Sequence, residues 1–527
     1  MVPPRVGALR FQSLRKNCDM TSDRPARAGR GFLAIGLAGL LALTACEKGP
    51  DREQTAAELK SSVEAELKKL EGSSAQKVLS HGAVSVSPQD DGAYLVAIEG
   101  VKFQPGPDGY LDVGTISYLA KPKDEKFYEV SGLTIPQAMA FKGLDGKDRG
   151  GLSITTKSFS GLYSKELASF QELAGEFADI AATDDKGGDV RLANAKFTGG
   201  LTDKGGGVAD SVGSLVLSGL TAKDTGGGIF SVAETQVDGK YDSMKIAEYQ
   251  AAMMKYQELA MKQAALSEQG ASGQPASLSA EEQKSLTDAI ATMAASVKGG
   301  DFKVAFKGLK YSESGAEPFS LGSLTLATLM DGINQEKGSF NFDLGIQDLV
   351  VSSPDLTSPV SRASLPRSGN LGLRITEIPS KDVVKVLADN LPAVASAEPA
   401  MAEANATAML VALQAVLQTS GAKIEIAPSQ LVSELVELKA EGMFNVAQQS
   451  MFGMIGALNV AVRGVDDLVA LAQQTPGDFE SQQVMGGAEM LQQYSAREQG
   501  ADGKPVDTFK IEINEAGQVL VNGKPLM

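Results

Sequence analysis

From Gly82 onward apolar residues recur at every second position, in short runs cut by turn residues, and no other feature restricts the fold as strongly. Val84 and Val86, then Tyr94, Val96 and Ile98, then Val101 and Phe103 each fill one face of an extended segment. Between them stand Pro88-Gln89-Asp90-Asp91-Gly92 and Pro105-Gly106-Pro107-Asp108-Gly109, whose Pro, Asp and Gly supply the backbone angles of tight turns. The pattern returns at residues 152–154, 190–197, 215–217, 302–306 and 340–344. A side-chain period of two with short polar turns predicts antiparallel β-meanders up to about residue 375. The 57 glycines and the absence of tryptophan favour thin sheets with small-residue packing, and 43 % hydrophobic residues are too many for a disordered chain.

Two short patterns recur within these strands. One is an apolar-x-Gly-apolar step: Ile98-Glu99-Gly100-Val101, Val130-Ser131-Gly132-Leu133, Phe159-Ser160-Gly161-Leu162, Leu217-Ser218-Gly219-Leu220 and Phe306-Lys307-Gly308-Leu309. The other is Val113-Gly114-Thr115-Ile116, Val212-Gly213-Ser214-Leu215 and Leu321-Gly322-Ser323-Leu324. Each of the latter opens a stretch of strands, and the first two lead on to helical periodicity. The chain therefore reads as three degenerate copies of a strands-then-helix unit.

Helices are expected at 165–182 and at 242–266, the second with Ile246, Tyr249, Met253, Tyr256 and Ala260 on one stripe. Ser279-Ala280-Glu281-Glu282 is a capping box ahead of Leu286, Ile290, Met293 and Val297, with Gly299-Gly300 as the stop. The stretch 267–277, rich in Gly, Ser and Gln around Pro275, reads as a flexible connector. Before the strands, Leu59, Val63, Leu67 and Leu70 mark a tether helix over 51–70, either a free stalk or packed on the body. In the last third, 383–391 and 401–417 are helical by period. Residues 423–426 and 435–440, then Leu458, Val460 and Val462, then Phe509, Ile511 and Ile513, and finally Val519 and Val521 alternate like strands.

The fold class expected is α+β: an extended antiparallel β-rich body with interspersed long helices and an α/β C-terminal region. Its divisions are a leader at 1–45, a tether at 46–78, β-rich repeats with long helices at 79–278, a helix plus β-rich unit at 279–380, and the α/β region at 381–527.

The leader carries Arg24, Arg27 and Arg30 ahead of an apolar run from 31 to 45 that ends in Leu43-Thr44-Ala45-Cys46, followed by Glu47 and Lys48. A membrane-spanning helix needs about 20 apolar residues, so this run is too short to cross. A positive region, a short apolar core and a small-residue cleavage site make a secretory signal, with Met20 as the start that gives ordinary proportions and leaves Cys18 outside. The segment resembles the lipobox of bacterial lipoproteins, which implies acylation of Cys46 and a mature chain beginning there. Each buried methylene contributes about 0.8 kcal/mol, so the acyl chains alone would hold the protein at a membrane. Glu47, rather than aspartate, after the cysteine implies the periplasmic face of the outer membrane in preference to the inner.

Removing 1–45 takes away seven basic and two acidic residues, which leaves 42 basic against 63 acidic and a net charge of -21. Such a surface repels phosphates and excludes nucleic acid as a partner. His81 is the single histidine and Cys18 and Cys46 are the only cysteines, so histidine- or thiol-based catalysis and metal sites lack material. Four Asp-x-Gly-Gly segments, at Asp148, Asp185, Asp203 and Asp224, suit calcium in residue type but recur at 37, 18 and 21 residues, not at a fixed period. They read as hairpin turns. Ser74-Ala75-Gln76-Lys77 lacks the companion motifs of a serine acyl-enzyme. Asp466-Asp467 and Glu281-Glu282 suit helix N-termini, and the triple glycines at Gly205 and Gly226 lack the Lys-Ser/Thr of a phosphate loop. Met244, Met253, Met254 and Met261 read as adaptable packing. No catalytic residue, cofactor or metal site is expected.

The strand from Leu458 to Val462 followed by Arg463-Gly464-Val465-Asp466-Asp467-Leu468, and the terminal Gly517-Gln518-Val519-Leu520-Val521-Asn522-Gly523-Lys524-Pro525, resemble the C-terminal end of YdgA-type periplasmic proteins and, more distantly, of AsmA-like proteins. The resemblance covers residues 421–527 and implies a non-enzymatic envelope protein built on long curved sheet. Those relatives mostly use an N-terminal transmembrane helix where this chain has Cys46. The function expected is lipid binding or outer-membrane maintenance along the sheet; the alternative is an adaptor lipoprotein that docks other envelope proteins.

Overall fold

The alternating segments pair as one antiparallel sheet in a computed structural model. It describes residues 52–70, 79–106, 109–167, 169–185, 187–223, 226–269, 278–313, 316–352, 358–396, 399–447, 450, 453–477, 479–500 and 503–526. Cys18, the leader, Cys46 and Ser74-Lys77 lie outside the described residues.

The strands are β1 (Leu79–Ser80), β2 (Val84–Pro88), β3 (Tyr94–Gly106), β4 (Gly109–Pro122), β5 (Phe127–Thr134), β6 (Ala138–Gly143), β7 (Asp148–Ser164), β8 (Ser169–Asp184), β9 (Asp189–Gly205), β10 (Val208–Lys223) and β11 (Ile229–Lys245). They continue as β12 (Gly299–Glu313), β13 (Ala316–Asp331), β14 (Gly338–Gln347), β15 (Val350–Val351), β16 (Ser368–Ile378), β17 (Lys423–Val432), β18 (Glu437–Val446), β19 (Met454–Arg463), β20 (Ala496–Gln499), β21 (Pro505–Ile513), β22 (Val519–Val521) and β23 (Lys524–Pro525). Among the described residues eight helices accompany them: α1 (Arg52–Leu70), α2 (Ile246–Gln269), α3 (Ala280–Ala295), α4 (Pro359–Ser364), α5 (Ser380–Ser396), α6 (Pro399–Ser420), α7 (Val465–Gln473) and α8 (Phe479–Tyr494).

From β7 to β14 each strand pairs with the next in sequence. The same sheet runs on through β16, β17, β18, β19 and β21. Every pairing is antiparallel. The expected α/β C-terminal region is therefore corrected: its helices are insertions between antiparallel neighbours, and β17 to β21 extend the same ladder. The pairing also crosses both expected internal boundaries, since β11 pairs β12 and β16 pairs β17.

The apolar-x-Gly-apolar step has a backbone cause. Gly100, Gly132, Gly219 and Gly308 sit inside strands at φ 58, 63, 68 and 61. A left-handed residue interrupts the period of two, so the apolar residues two before and one after it reach the same side. Ile98 with Val101, and Val130 with Leu133, are all buried in one core. Gly161 is the exception: its φ is not positive, and a Cβ there would lie 2.7 Å from the Phe170 ring. Four further steps use other residues, Asp179, Ser243, Asp348 and Glu377, at φ 54, 51, 54 and 59. Of the second pattern only Gly114 has positive φ, so Gly213 and Gly322 share no backbone geometry with it.

The helix expected at 165–182 is a turn followed by β8. Phe170, Leu173, Phe177 and Ile180 mimic helical spacing because a pairing irregularity beside Tyr163 and the left-handed Asp179 each add a residue to the strand repeat. With that helix gone, the three-copy strands-then-helix unit does not hold. The helix expected at 242–266 begins only at Ile246, because β11 continues to Lys245. Ser279 caps α3 as expected, but the helix stops at Ser296 and Gly299-Gly300 opens β12.

The tether helix is part of the body. Leu59, Val63 and Leu67 of α1 are 0–1 % exposed and pack with Val96, Ile98, Tyr118, Tyr128 and Tyr163 of the first strands. α1 is thus the apolar filling of the N-terminal sheet. The other long helices pack mainly on one another, α2 on α3, α3 on α5 and α5 on α6, where β11, β16 and β18 end.

Candidate functional site

Register shows where the apolar side chains go. One row of directly paired residues runs Phe159, Gly175, Phe197, Leu215, Val237, Val304, Leu326, Leu344 and Leu371, from β7 to β16. A second, on the same face, runs Leu173, Gly199, Gly213, Gly239, Phe302, Thr328, Phe342, Leu373, Ile426, Gly442, Leu458 and Ile511. Eleven steps between neighbouring strands at about 4.8 Å give the second row a length of roughly 50 Å. Beside it lie Met330, Phe340, Ile375, Ile424, Phe444 and Ile513.

Burial changes along this face. At the N-terminal end α1 covers it, and Val96, Ile98 and Tyr118 are 0 % exposed. Phe177, Phe197 and Leu217 carry the same core forward, with the Phe177 and Phe197 rings stacked at 5.9 Å. Beyond β9 most residues in the rows are only half-buried, and Phe302, Met330 and Leu371 are 43, 38 and 46 % exposed. In folded proteins large exposed apolar patches are characteristic of interaction surfaces.

Within the second row three successive strands place glycine in register, Gly199, Gly213 and Gly239. A Cβ on Gly213 or on Gly239 would meet its nearest neighbour only at 4.0 Å. The three glycines leave a shallow trough between Leu173 and Phe302; Gly213 and Gly239 have no packing demand of their own, whereas a Cβ on Gly199 would lie 3.1 Å from Val212 O.

The opposite face is polar and pairs with itself across strands. Asn194 Nδ2 donates to Glu176 Oε1 at 2.8 Å, Ser214 Oγ to Asp238 Oδ1 at 2.7 Å, Lys307 Nζ to Glu234 Oε1 at 2.7 Å and Arg374 Nη2 to Asp343 Oδ1 at 2.8 Å. Two open depressions lie on this side. One, of about 510 Å³, is lined by Asn370, Gln430, Lys439, Glu441, Asn459 and Lys510. The other, of about 640 Å³, is lined by Lys123, Glu129, Ser131, Glu172, Thr198 and Ser214. The Lys439 ammonium pairs with Glu437 and holds its carboxyl below the usual carboxylate range.

The residues singled out for chemistry do not converge. His81 lies in the link between β1 and β2, its Nδ1 2.8 Å from Gly82 O. Asp466 and Asp467 stand in the first turn of α7 and pair with Arg497 and Lys504. Glu281 and Glu282 occupy the first turn of α3, where Lys262 and the Ser279 amide pull Glu282 down to about 2. Asp203 Oδ1 accepts from Gly205 N at 2.7 Å, and Gly205, Gly206 and Gly207 all take positive φ in the β9–β10 turn. Gly187 and Gly227 do the same in their turns. Asp148 departs from the hairpin reading: Asp148 to Gly151 belong to β7, where a Cβ on Gly150 would lie 2.1 Å from Thr183 O. Met244 is buried while Met254 is 46 % exposed. Among the described residues no three His, Cys, Asp or Glu side chains are grouped to hold a metal ion.

The sequence showed the alternation but not the face, because register joins residues that lie far apart in the chain. Comparison with protein-family models, with curated proteins and with solved structures finds no match to this chain.

Proposed function

We propose that this protein is a lipid-anchored, non-enzymatic periplasmic protein that binds lipid acyl chains along the apolar face of its sheet. The observation that carries this reading is the second paired row, from Leu173 to Ile511, in which apolar side chains and glycines, with Thr328 the one polar residue, stay partly exposed over roughly 50 Å. Acyl chains supply what such a face lacks: uncharged, flexible surface, with about 0.8 kcal/mol gained for each methylene removed from water. The glycine trough gives one chain a bed, and the α1-filled end closes the face on one side. The leader and Cys46 support attachment to the periplasmic leaflet of the outer membrane, where such ligands are at hand. The YdgA-type and AsmA-like resemblance of residues 421–527 fits the same class of work.

The test is the lipid content of the full chain purified from membranes in mild detergent, measured by mass spectrometry after washing, beside a Phe342→Asp variant of unchanged melting temperature. Co-purifying phospholipid that the variant has lost is the expected result. Lipid-free protein in both would end the reading, and a stoichiometric protein partner in its place would establish the adaptor alternative.

A further inference from the structure

α6, the last in the packed series α2, α3, α5 and α6, presents an apolar surface of a different kind. From Ala404 to Ala422 the chain holds no charged residue. The inner side of α6 turns Leu413, Val416 and Leu417 toward the body, half-buried, while Ala404, Thr407, Ala408, Leu410, Val411, Gln414 and Ala415 are exposed. Leu410 and Val411 are 62 and 60 % exposed, neighbours in sequence and without a charged residue within six positions on either side. The Thr407 hydroxyl donates to Glu403 O at 2.8 Å, so that polar atom is satisfied by the helix itself, and the exposed Gln414 beside Leu410 and Val411 carries no charge.

Position narrows the occupant. α6 sits where β16 and β18 end, at the same margin as α2, α3 and α5. That margin also holds the exposed rim of the apolar face. Tyr241 of β11 lies 5.8 Å from the Tyr249 ring of α2, and Met330 precedes the loop in which Asn334 donates to Ala295 O of α3. A stable protein–protein contact buries about 800 Å² on each partner, far more than two large side chains and a few alanines offer. A bilayer asks for less, namely uncharged apolar side chains on one side of a surface-lying helix. No helix among the described residues is long and apolar enough to cross a membrane, so α6 would lie on the bilayer.

We propose that α6 is a membrane contact, with Leu410 and Val411 inserting among the acyl chains of a phospholipid bilayer and turning the margin that carries α2, α3, α5 and α6 toward it. This goes beyond lipid binding along the sheet: it requires neither a loaded trough nor an acylated Cys46.

The protein has no tryptophan, so one introduced indole reports one position. Leu410→Trp in the full chain is expected to shift its emission to the blue on mixing with phosphatidylcholine vesicles and to be quenched when their acyl chains are brominated. Phe230→Trp, at the opposite end of the strands, is expected to do neither, and adding Val411→Asp to Leu410→Trp is expected to abolish both effects. Unchanged Leu410→Trp emission with vesicles overturns the proposal, as does equal quenching of both positions. A blue shift without vesicles that grows with protein concentration also overturns it, by assigning the surface to a second copy. Retained lipid is measured separately by mass spectrometry, so an unloaded sheet does not decide this result.

Discussion

Gly308 sits at φ 61 in the middle of β12, and a Cβ there would stand 2.9 Å from the Ala233 Cβ. An L-residue in this conformation costs about 1–3 kcal/mol, whereas glycine enters it freely. Gly308→Ala is therefore expected to lower stability by about 1–3 kcal/mol, and Asp179→Gly, which relieves the same conformation at φ 54, to raise it by up to about 1 kcal/mol. Urea midpoints of the two variants check this; a Gly308→Ala midpoint equal to the parent's would show that the backbone relaxes at no cost. These steps also mark the limit of what the sequence makes legible. Where glycine makes the step the pattern is visible, but Asp179, Ser243, Asp348 and Glu377 give no such sign, and so β8 resembles a helix. Titration tests a second residue. Glu282 is held at about 2, against an ordinary 4.5, first by Lys262 and then by the Ser279 amide. A depressed carboxyl stabilises above its unfolded value, and that contribution is lost as pH falls from 4.5 toward 2. Amide protection at the start of α3, taken relative to the intrinsic exchange rate at each pH, is expected to fall across that window more in the parent than in Glu282→Gln.

Helices with a strict apolar period were the most readable elements, and α1 shows what period leaves open. Leu59, Val63 and Leu67 fix one stripe, yet a stripe does not say whether it meets the body or solvent. The answer lies in the partners: Ile98 and Tyr118 need apolar cover, and the sheet's own side chains do not provide it at that end. Since Leu59 is 0 % exposed, Leu59→Ala should cost about 2–5 kcal/mol through lost burial and the cavity left behind. Chemical denaturation measures it, with Lys60→Ala, on the exposed side of α1, expected within about 0.5 kcal/mol of the parent. Equal losses at both positions would mean that α1 contributes only helix propensity. The α/β expectation for the last third failed for a related reason. Strands and helices alternate there in sequence, but α5 and α6 leave β16 and return to β17 as its direct antiparallel neighbour, so they do not act as parallel crossovers.

At the scale of the molecule the sheet divides its work between faces. Cross-strand charges such as Lys307–Glu234 and Arg374–Asp343 pair with one another on one side. The other side keeps apolar rows only half covered, a state that folding alone gives no reason to maintain. Gly213 is where this difference is most open to test. Its φ is not positive and a Cβ would have 4.0 Å of clearance, so neither strain nor crowding requires glycine there. A purely structural strand would gain from a β-branched residue at this position, which packs well on a pleated surface and restricts the unfolded chain. If the trough is a bed for an acyl chain, Gly213→Val and Gly239→Val should match or exceed the parent in melting temperature while retaining less lipid. A double variant that stays as stable and keeps its full lipid content would show that ligand lies elsewhere along the rows, nearest to Phe342 and Leu373. A double variant that loses stability would show that the two glycines serve the sheet itself.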